Sequence, residues 1–206
     1  PGVDAGDLGP RAALLGEAGA LPGDGSFLRL AAGVWPSAAA LADPSAAAAA
    51  LEASVAESAI AGRPCAAIGE CGLDYHHMEG PRERQMELFE AQLAPAGRLG
   101  LPLVVHSRDA FDDTLALLAG ARLSRPIVVH CFGYGAREAR AFLDLGCYVS
   151  FAGNLTYKKS GALRDACALV PLDRLLLETD APYMCPEPRR GRPSTPLDVG
   201  RTYAVA

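Results

Sequence analysis

The chain has 206 residues, half of them apolar, with 19 Lys and Arg against 24 Asp and Glu for a net charge of −5. That length suits one sizeable core, and the composition excludes a largely disordered chain. The acidic balance excludes a general electrostatic hold on nucleic acid or anionic membrane, so an anionic substrate must be gripped locally, by metal or by a few basic side chains.

The first 26 residues are Gly-rich, with one short helical pattern around Pro10 to Ala18. From Phe27 onward short apolar runs alternate with longer helical patterns. FLRLAAGV reads as the first strand and Ser45 to Ala61 as a helix. PCAAIGE is the next strand, and the helix from Pro81 to Leu99 follows. Pro81 suits a first helical turn, and Glu83 and Glu87 set negative charge near the positive end of that helix's dipole. PLVVHS, the helix from Asp109 to Ala119, PIVVHCF and the helix from Ala136 to Leu145 continue the alternation. CYVSFAG, the helix from Gly161 to Leu169, and DRLLLETD complete it.

Strand then helix, five times over, predicts a parallel sheet with right-handed crossovers. Most of the strands are apolar on both faces, as when helices cover one side and a packed interior the other. No GxGxxG follows the first strand, which weakens the case for a dinucleotide-binding sheet. An eight-unit barrel takes about 250 residues. Six strands in 206 residues therefore predict an α/β fold of the TIM-type (β/α) barrel, incomplete at one or both ends, forming a single domain over residues 1–206.

Metal-ligand side chains stand where four of these strand patterns run out: Glu70, His106, His130 and Asp180. In a parallel barrel the C-terminal strand ends share one mouth, where catalytic residues collect. An open sheet would instead concentrate its site at one switch point. Side chains two apart on a strand share a face, so Ile68 is expected beneath Glu70, Val104 beneath His106, Val128 beneath His130, and Leu176 and Glu178 beneath Asp180. Two imidazoles and two carboxylates suit Zn²⁺, Mn²⁺ or Fe²⁺ better than Mg²⁺ alone. Glu178 is either a partner that orients a ligating histidine or a buried carboxylate paired with an arginine. The set reads as a metal-dependent hydrolase.

IGECGLDY, LPLVVHSRDA, VVHCFGYG and LLLETDAPYMCPEPRRGR, in this order, resemble the TatD family of metal-dependent deoxyribonucleases, within the wider amidohydrolase-like barrels. The resemblance implies a hydrolase acting on ester bonds, with two divalent ions (Mg²⁺, Mn²⁺ or Zn²⁺) in a complete site. It implies that Glu70 bridges or flanks the metals, that His106 and His130 are further ligands, and that Asp180 binds metal and handles the proton of the attacking water. Its implied substrate is DNA, single-stranded or at 3′ ends. The family's opening His-x-His has no counterpart here, since no histidine precedes His76. Gly33-Val34-Trp35-Pro36 stands where the family often has Gly-x-His-Pro, and RPSTP where it commonly has Arg-Asn-Glu-Pro. These departures keep two other readings open: a degenerate barrel that binds nucleic acid or a partner without cutting, and an amidohydrolase or esterase of small substrates.

Around the mouth, His76 and His77 lie in the loop after a strand, and His76 is a candidate phosphate contact. Asp74 and Tyr75 are expected to shape the mouth rather than perform chemistry. Lys158, Lys159, Arg189, Arg190 and Arg192 form two basic clusters on later loops, suited to a phosphate backbone. Tyr134, Tyr157, Tyr183 and Trp35 are candidates for stacking on bases. Six cysteines with no CxxC pair predict buried free thiols in a reducing cytoplasm. No apolar run reaches the roughly 20 residues of a membrane span, and neither a membrane nor an obligate protein partner is expected.

Overall fold

The computed structural model describes residues 3–18, 28–60 and 65–206. Phe27, Ala61 and Pro64, which bound the predicted first strand, first long helix and second strand, lie outside the described residues, as does the Gly-rich stretch from 19 to 27. The chain divides into two compact units, Pro1–Arg125 and Pro126–Ala206.

In the first unit the order is α1 (Leu8–Ala18), β1 (Ala31–Ala32), α2 (Ala38–Ala42), α3 (Pro44–Ile60), β2 (Ala67–Asp74), α4 (Arg82–Leu99), β3 (Leu103–Arg108) and α5 (Phe111–Ala121). The strands pair in parallel, β1 with β2 and β2 with β3, as the strand and helix alternation predicts. Pro81 is the cap before α4 and not its first helical residue, because its ψ of 149° is still extended. Asp109 lies outside α5 for a similar reason: its φ is +53°.

The buried face of α4 carries Gln85, Leu88, Phe89, Gln92 and Leu93, the i, i+3, i+4, i+7 spacing of one helix face. Its two glutamines act as peptide mimics. Gln85 accepts from Asp74 N–H at 2.8 Å and donates to Asp74 O at 2.9 Å, while Gln92 does the same for Val34 at 2.8 and 2.9 Å. Each buried amide thus satisfies both backbone polar groups of one residue.

The second strand differs from its sequence reading in two ways. It does not end at Glu70 but runs on to Asp74, pairing Cys71–Asp74 with Val105–Arg108. Gly69 and Gly72, which look like strand breakers, are strand residues at φ +146° and +141°. A Cβ on either would collide with β3, at Val104 and at the His106 carbonyl respectively. Between Ile68 and Cys71 the register slips by one residue, a β-bulge. Ile68 pairs with Leu103, so it shares a face with Leu103 and Val105, opposite to Val104 and His106. The expected layering of Ile68 under Glu70 therefore fails, because the bulge resets the two-residue alternation. Beyond it Gly72 and Asp74 pair with His106 and Arg108 and share their face.

In the second unit the order is β4 (Ile127–Val129), α6 (Ala136–Asp144), β5 (Tyr148–Phe151), a 3-10 turn (Gly153–Thr156), α7 (Gly161–Leu169), β6 (Leu175–Leu177), a second 3-10 turn (Pro196–Asp198) and α8 (Val199–Tyr203). Again the strands are parallel, β4 with β5 and β5 with β6. Phe132, Phe142 and Phe151 are fully buried, and Phe132 meets the other two edge to face at 6.4 and 5.5 Å. Leu176, expected in an apolar layer beneath Asp180, is 40% exposed. Among the described residues no helix is long and apolar enough to cross a membrane, and all six cysteines are free.

Candidate functional site

In the first unit the bulge turns Glu70 toward β3, where its Oε1 meets His106 Nδ1 at 2.9 Å. The other ring nitrogen, Nε2, donates to Asp74 Oδ2 at 3.0 Å. Asp74 does more than shape a loop. Its Oδ1 accepts the backbone N–H groups of His76 and His77 at 2.9 and 2.8 Å, closing the turn after β2, and Oδ2 also takes the His77 ring at 2.8 Å. Burial pushes the Asp74 carboxyl up, but the bonds from His106 and His77 outweigh it and hold the group well below the usual carboxylate range. The parity Glu70, Gly72, Asp74 past the bulge was the sequence signal for this role.

Each of the two nitrogen–carboxylate contacts of His106 needs a proton between its partners. A divalent cation beside Nδ1 can replace one of these protons, with Glu70 as its second ligand and Asp74 still fixing the tautomer through Nε2. Carboxylate–histidine–metal arrays have this construction, and their outer carboxylate orients the ring. The donor set therefore fits a metal. Trp35 packs edge-on against both His106 and His77, with ring centroids 6.5 and 6.2 Å away.

In the second unit His130 directly follows β4 and is buried. Its Nδ1 lies 3.7 Å from Glu178 Oε2, and Glu178 Oε1 accepts the Cys131 N–H. Glu178 thus orients a histidine rather than pairing with an arginine. Burial raises its carboxyl, yet His130, the Cys131 N–H and Ser150 together bring it below the ordinary value. The opposite nitrogen of His130, Nε2, is buried, and it is the ring atom turned away from Glu178. Asp180 stands three residues beyond β6 and, like Cys131, has a left-handed backbone, φ +55° against +43°. Non-glycine residues in this region are uncommon and collect at functional sites.

The outlying candidates separate clearly. His76 Nδ1 lies 3.2 Å from Asp109, in an exposed pair. Arg189 is tied to Asp198 at 3.2 Å, and Asp198 also takes the Thr195 N–H and hydroxyl. Arg190 lies over the Tyr157 ring at 4.2 Å, and Lys158 is exposed. Tyr183 is exposed and Tyr134 packs edge-on to Phe132 at 5.6 Å.

The family model described as TatD related DNase matches residues 21–205. The chain is 44% identical over 143 residues to the uncharacterised metal-dependent hydrolase YcfH of Escherichia coli K12, covering 68% of this chain and 54% of that protein. It is 41% identical over 131 residues to the 3′-5′ ssDNA/RNA exonuclease TatD of Pantoea ananatis, covering 63% and 50%. Thus the chain spans about half the length of the curated relatives it matches. Among solved structures it superposes on YJJV, a TatD homologue of Escherichia coli K12, with a TM-score of 0.82 and 32% identity, over 100% of this chain and 75% of that one.

Proposed function

The chain belongs to the TatD-related DNase family and has its α/β barrel fold, and from that premise we propose that it hydrolyses phosphodiester bonds in DNA with divalent metal. The observation that carries this reading is His106 held between Glu70 and Asp74, a ligand pair with its orienting carboxylate already in place. The resemblance to the family assigns His130 and Asp180 as further metal ligands beside Glu70 and His106. We take residues 1–206 as one barrel domain. A divalent ion held by these residues would acidify water toward neutral pH and offset negative charge on the phosphoryl oxygens.

The side chains supply the rest. Asp180 accepts the proton of the attacking water, and Glu70 contributes a ligating carboxylate. Asp74 and Glu178 hold the two imidazoles in the orientation that directs a lone pair at metal. Arg190, over the Tyr157 ring, and Lys158 contact the phosphate backbone, whereas Arg189 is engaged by Asp198 and contributes less. His76, paired with Asp109, is a further candidate for contacting phosphate. DNA as substrate is supported by the name of the Pantoea ananatis relative, which also points to single strands and 3′ ends. A cytoplasmic location is supported by six free cysteines.

The test is cleavage of a labelled single-stranded oligonucleotide with Mn²⁺, Mg²⁺ or Zn²⁺ added to chelator-treated protein. Cleavage that needs an added ion supports the proposal, and cleavage that persists in chelator contradicts it. Trp35 against His106 favours one second reading, a barrel that binds nucleic acid without cutting. Metal analysis separates the two: close to one ion or more per chain supports the hydrolase, and a count near zero with strand binding intact supports the binder.

A further inference from the structure

Among the described residues of the first unit, three arginines are half-buried: Arg11, Arg84 and Arg108. A guanidinium drawn away from water loses hydration that polar partners must replace. Arg11 is bonded to Asp7 and to Ala31 O, both at 2.9 Å. Arg84 is bonded to Glu87 at 2.6 Å and to the carbonyls of Leu41 and Ala42 at 3.0 and 2.7 Å. The Arg108 guanidinium has neither an ion pair nor a hydrogen bond with any described residue.

Arg108 is the last residue of β3 and stands directly across from Asp74, in the register that puts both on the face of His106. Opposite charges facing each other across two strands ordinarily pair. Here both carboxylate oxygens of Asp74 are taken, Oδ1 by the N–H groups of His76 and His77 and Oδ2 by the rings of His77 and His106. Two acids of the following segment are engaged as well, Asp109 by His76 at 3.2 Å and Asp113 by Tyr75 and Arg82, each at 2.6 Å. Glu70 is turned to His106. A permanent positive charge thus stands on the face of the ligand pair while the neighbouring carboxylates are committed elsewhere. Same-face residues on a strand are roughly 6.5 Å apart, comparable to the length of an arginine side chain, so the guanidinium suits an anion lying over Glu70 and His106.

We infer that Arg108 touches the substrate, its guanidinium donating two N–H bonds to non-bridging oxygens of the phosphodiester held at Glu70 and His106. The planar fork matches the spacing of phosphate oxygens, and its charge offsets the negative charge they carry while water attacks. This inference rests on the phosphodiester reading of that site. It explains why a half-buried arginine is left without a partner from its own chain: the partner is the scissile phosphate.

The experiment pairs two measurements on the whole chain: steady-state cleavage of a labelled single-stranded oligonucleotide with Mn²⁺, and fluorescence anisotropy of the same strand in chelator, where nothing is cut. Arg108→Ala is expected to lower kcat/KM about 100-fold and to weaken strand binding about tenfold, without weakening Mn²⁺ binding by titration calorimetry. Urea denaturation is expected to find the variant at least as stable as the parent, because no bond within the chain is lost. Added guanidinium ion is expected to restore part of the lost rate, and Arg108→Lys part of the strand binding, since the charge returns without the fork. Arg140→Ala, an exposed charge on α6, is expected to change either quantity less than about twofold. Native kcat/KM in Arg108→Ala, or a loss matched by an equal loss of Mn²⁺ affinity, would overturn the contact. Arg108-dependent strand binding by a chain that cuts nothing would keep the contact and refute the hydrolase. Metal-dependent cleavage undiminished in Arg108→Ala would do the reverse, and a parent that neither binds nor cuts the strand would overturn both.

Discussion

The two histidines assigned to metal are held in differently built surroundings. His106 sits inside a six-residue strand, engaged by carboxylates at both ring nitrogens, and one of these carboxylates, Asp74, is itself clamped at its backbone by Gln85. His130 follows a three-residue strand and faces the carboxylate of Glu178, which also secures the loop backbone at Cys131. Sheet register and a buried amide position the first; a short loop in a left-handed bend positions the second. Support in the first unit is therefore distributed over β2, β3 and α4, whereas in the second Glu178 joins the histidine to the backbone of the loop that follows it.

The contrast is broken most directly by removing the outer carboxylates. Asp74→Ala and Glu178→Ala should each weaken metal binding about 10- to 100-fold, read by titration calorimetry, since neither residue is a ligand but each sets a ring. Equal losses in metal-bound activity and no change in metal affinity would place both residues outside the ligand support. Next comes the backbone clamp. Gln85→Leu strands the Asp74 N–H and C=O and should cost about 2 to 4 kcal/mol by urea denaturation, together with weaker metal binding. Gln92→Leu should cost a similar amount of stability while leaving metal affinity intact, because it clamps Val34 instead.

The smallest effect concerns the edge of the first unit, where Tyr75 donates to Asp113 at 2.6 Å beneath the Arg82 guanidinium. Burial and the Asp113 carboxylate push the Tyr75 hydroxyl up to about 12. A folded value above the unfolded one means that the stabilisation is present below about pH 10 and fades as pH rises toward 12. Ultraviolet titration should therefore show the amplitude of late-ionising tyrosine reduced by one residue in Tyr75→Phe, with Tyr157, also raised by burial, remaining. An undiminished late amplitude in Tyr75→Phe would contradict the contact.

The alternating strands and helices, and the four ligand-type residues, were legible because hydrophobic runs and chemically distinctive side chains are local signals. The role of Asp74 was not, although its parity with Glu70 is plain once the strand is known to continue. Gly69 lies inside the strand read from the sequence, whereas Gly72 falls beyond it and is a strand residue where β3 passes too close for a Cβ. The bulge that reverses Ile68 is likewise a property of two strands together. Arg189 read as a phosphate contact since its partner Asp198 is nine residues away, and only the fold of the intervening turn shows that its charge is engaged.

The central claim is that Glu70 is a metal ligand in a phosphodiesterase. The most direct measurement compares cleavage of a single-stranded oligonucleotide by native protein and by Glu70→Ala as Mn²⁺ is titrated in. The account predicts metal-dependent cleavage by the native chain and none by the variant at any Mn²⁺ concentration, with the variant still folded. Cleavage by Glu70→Ala at the native rate would contradict it.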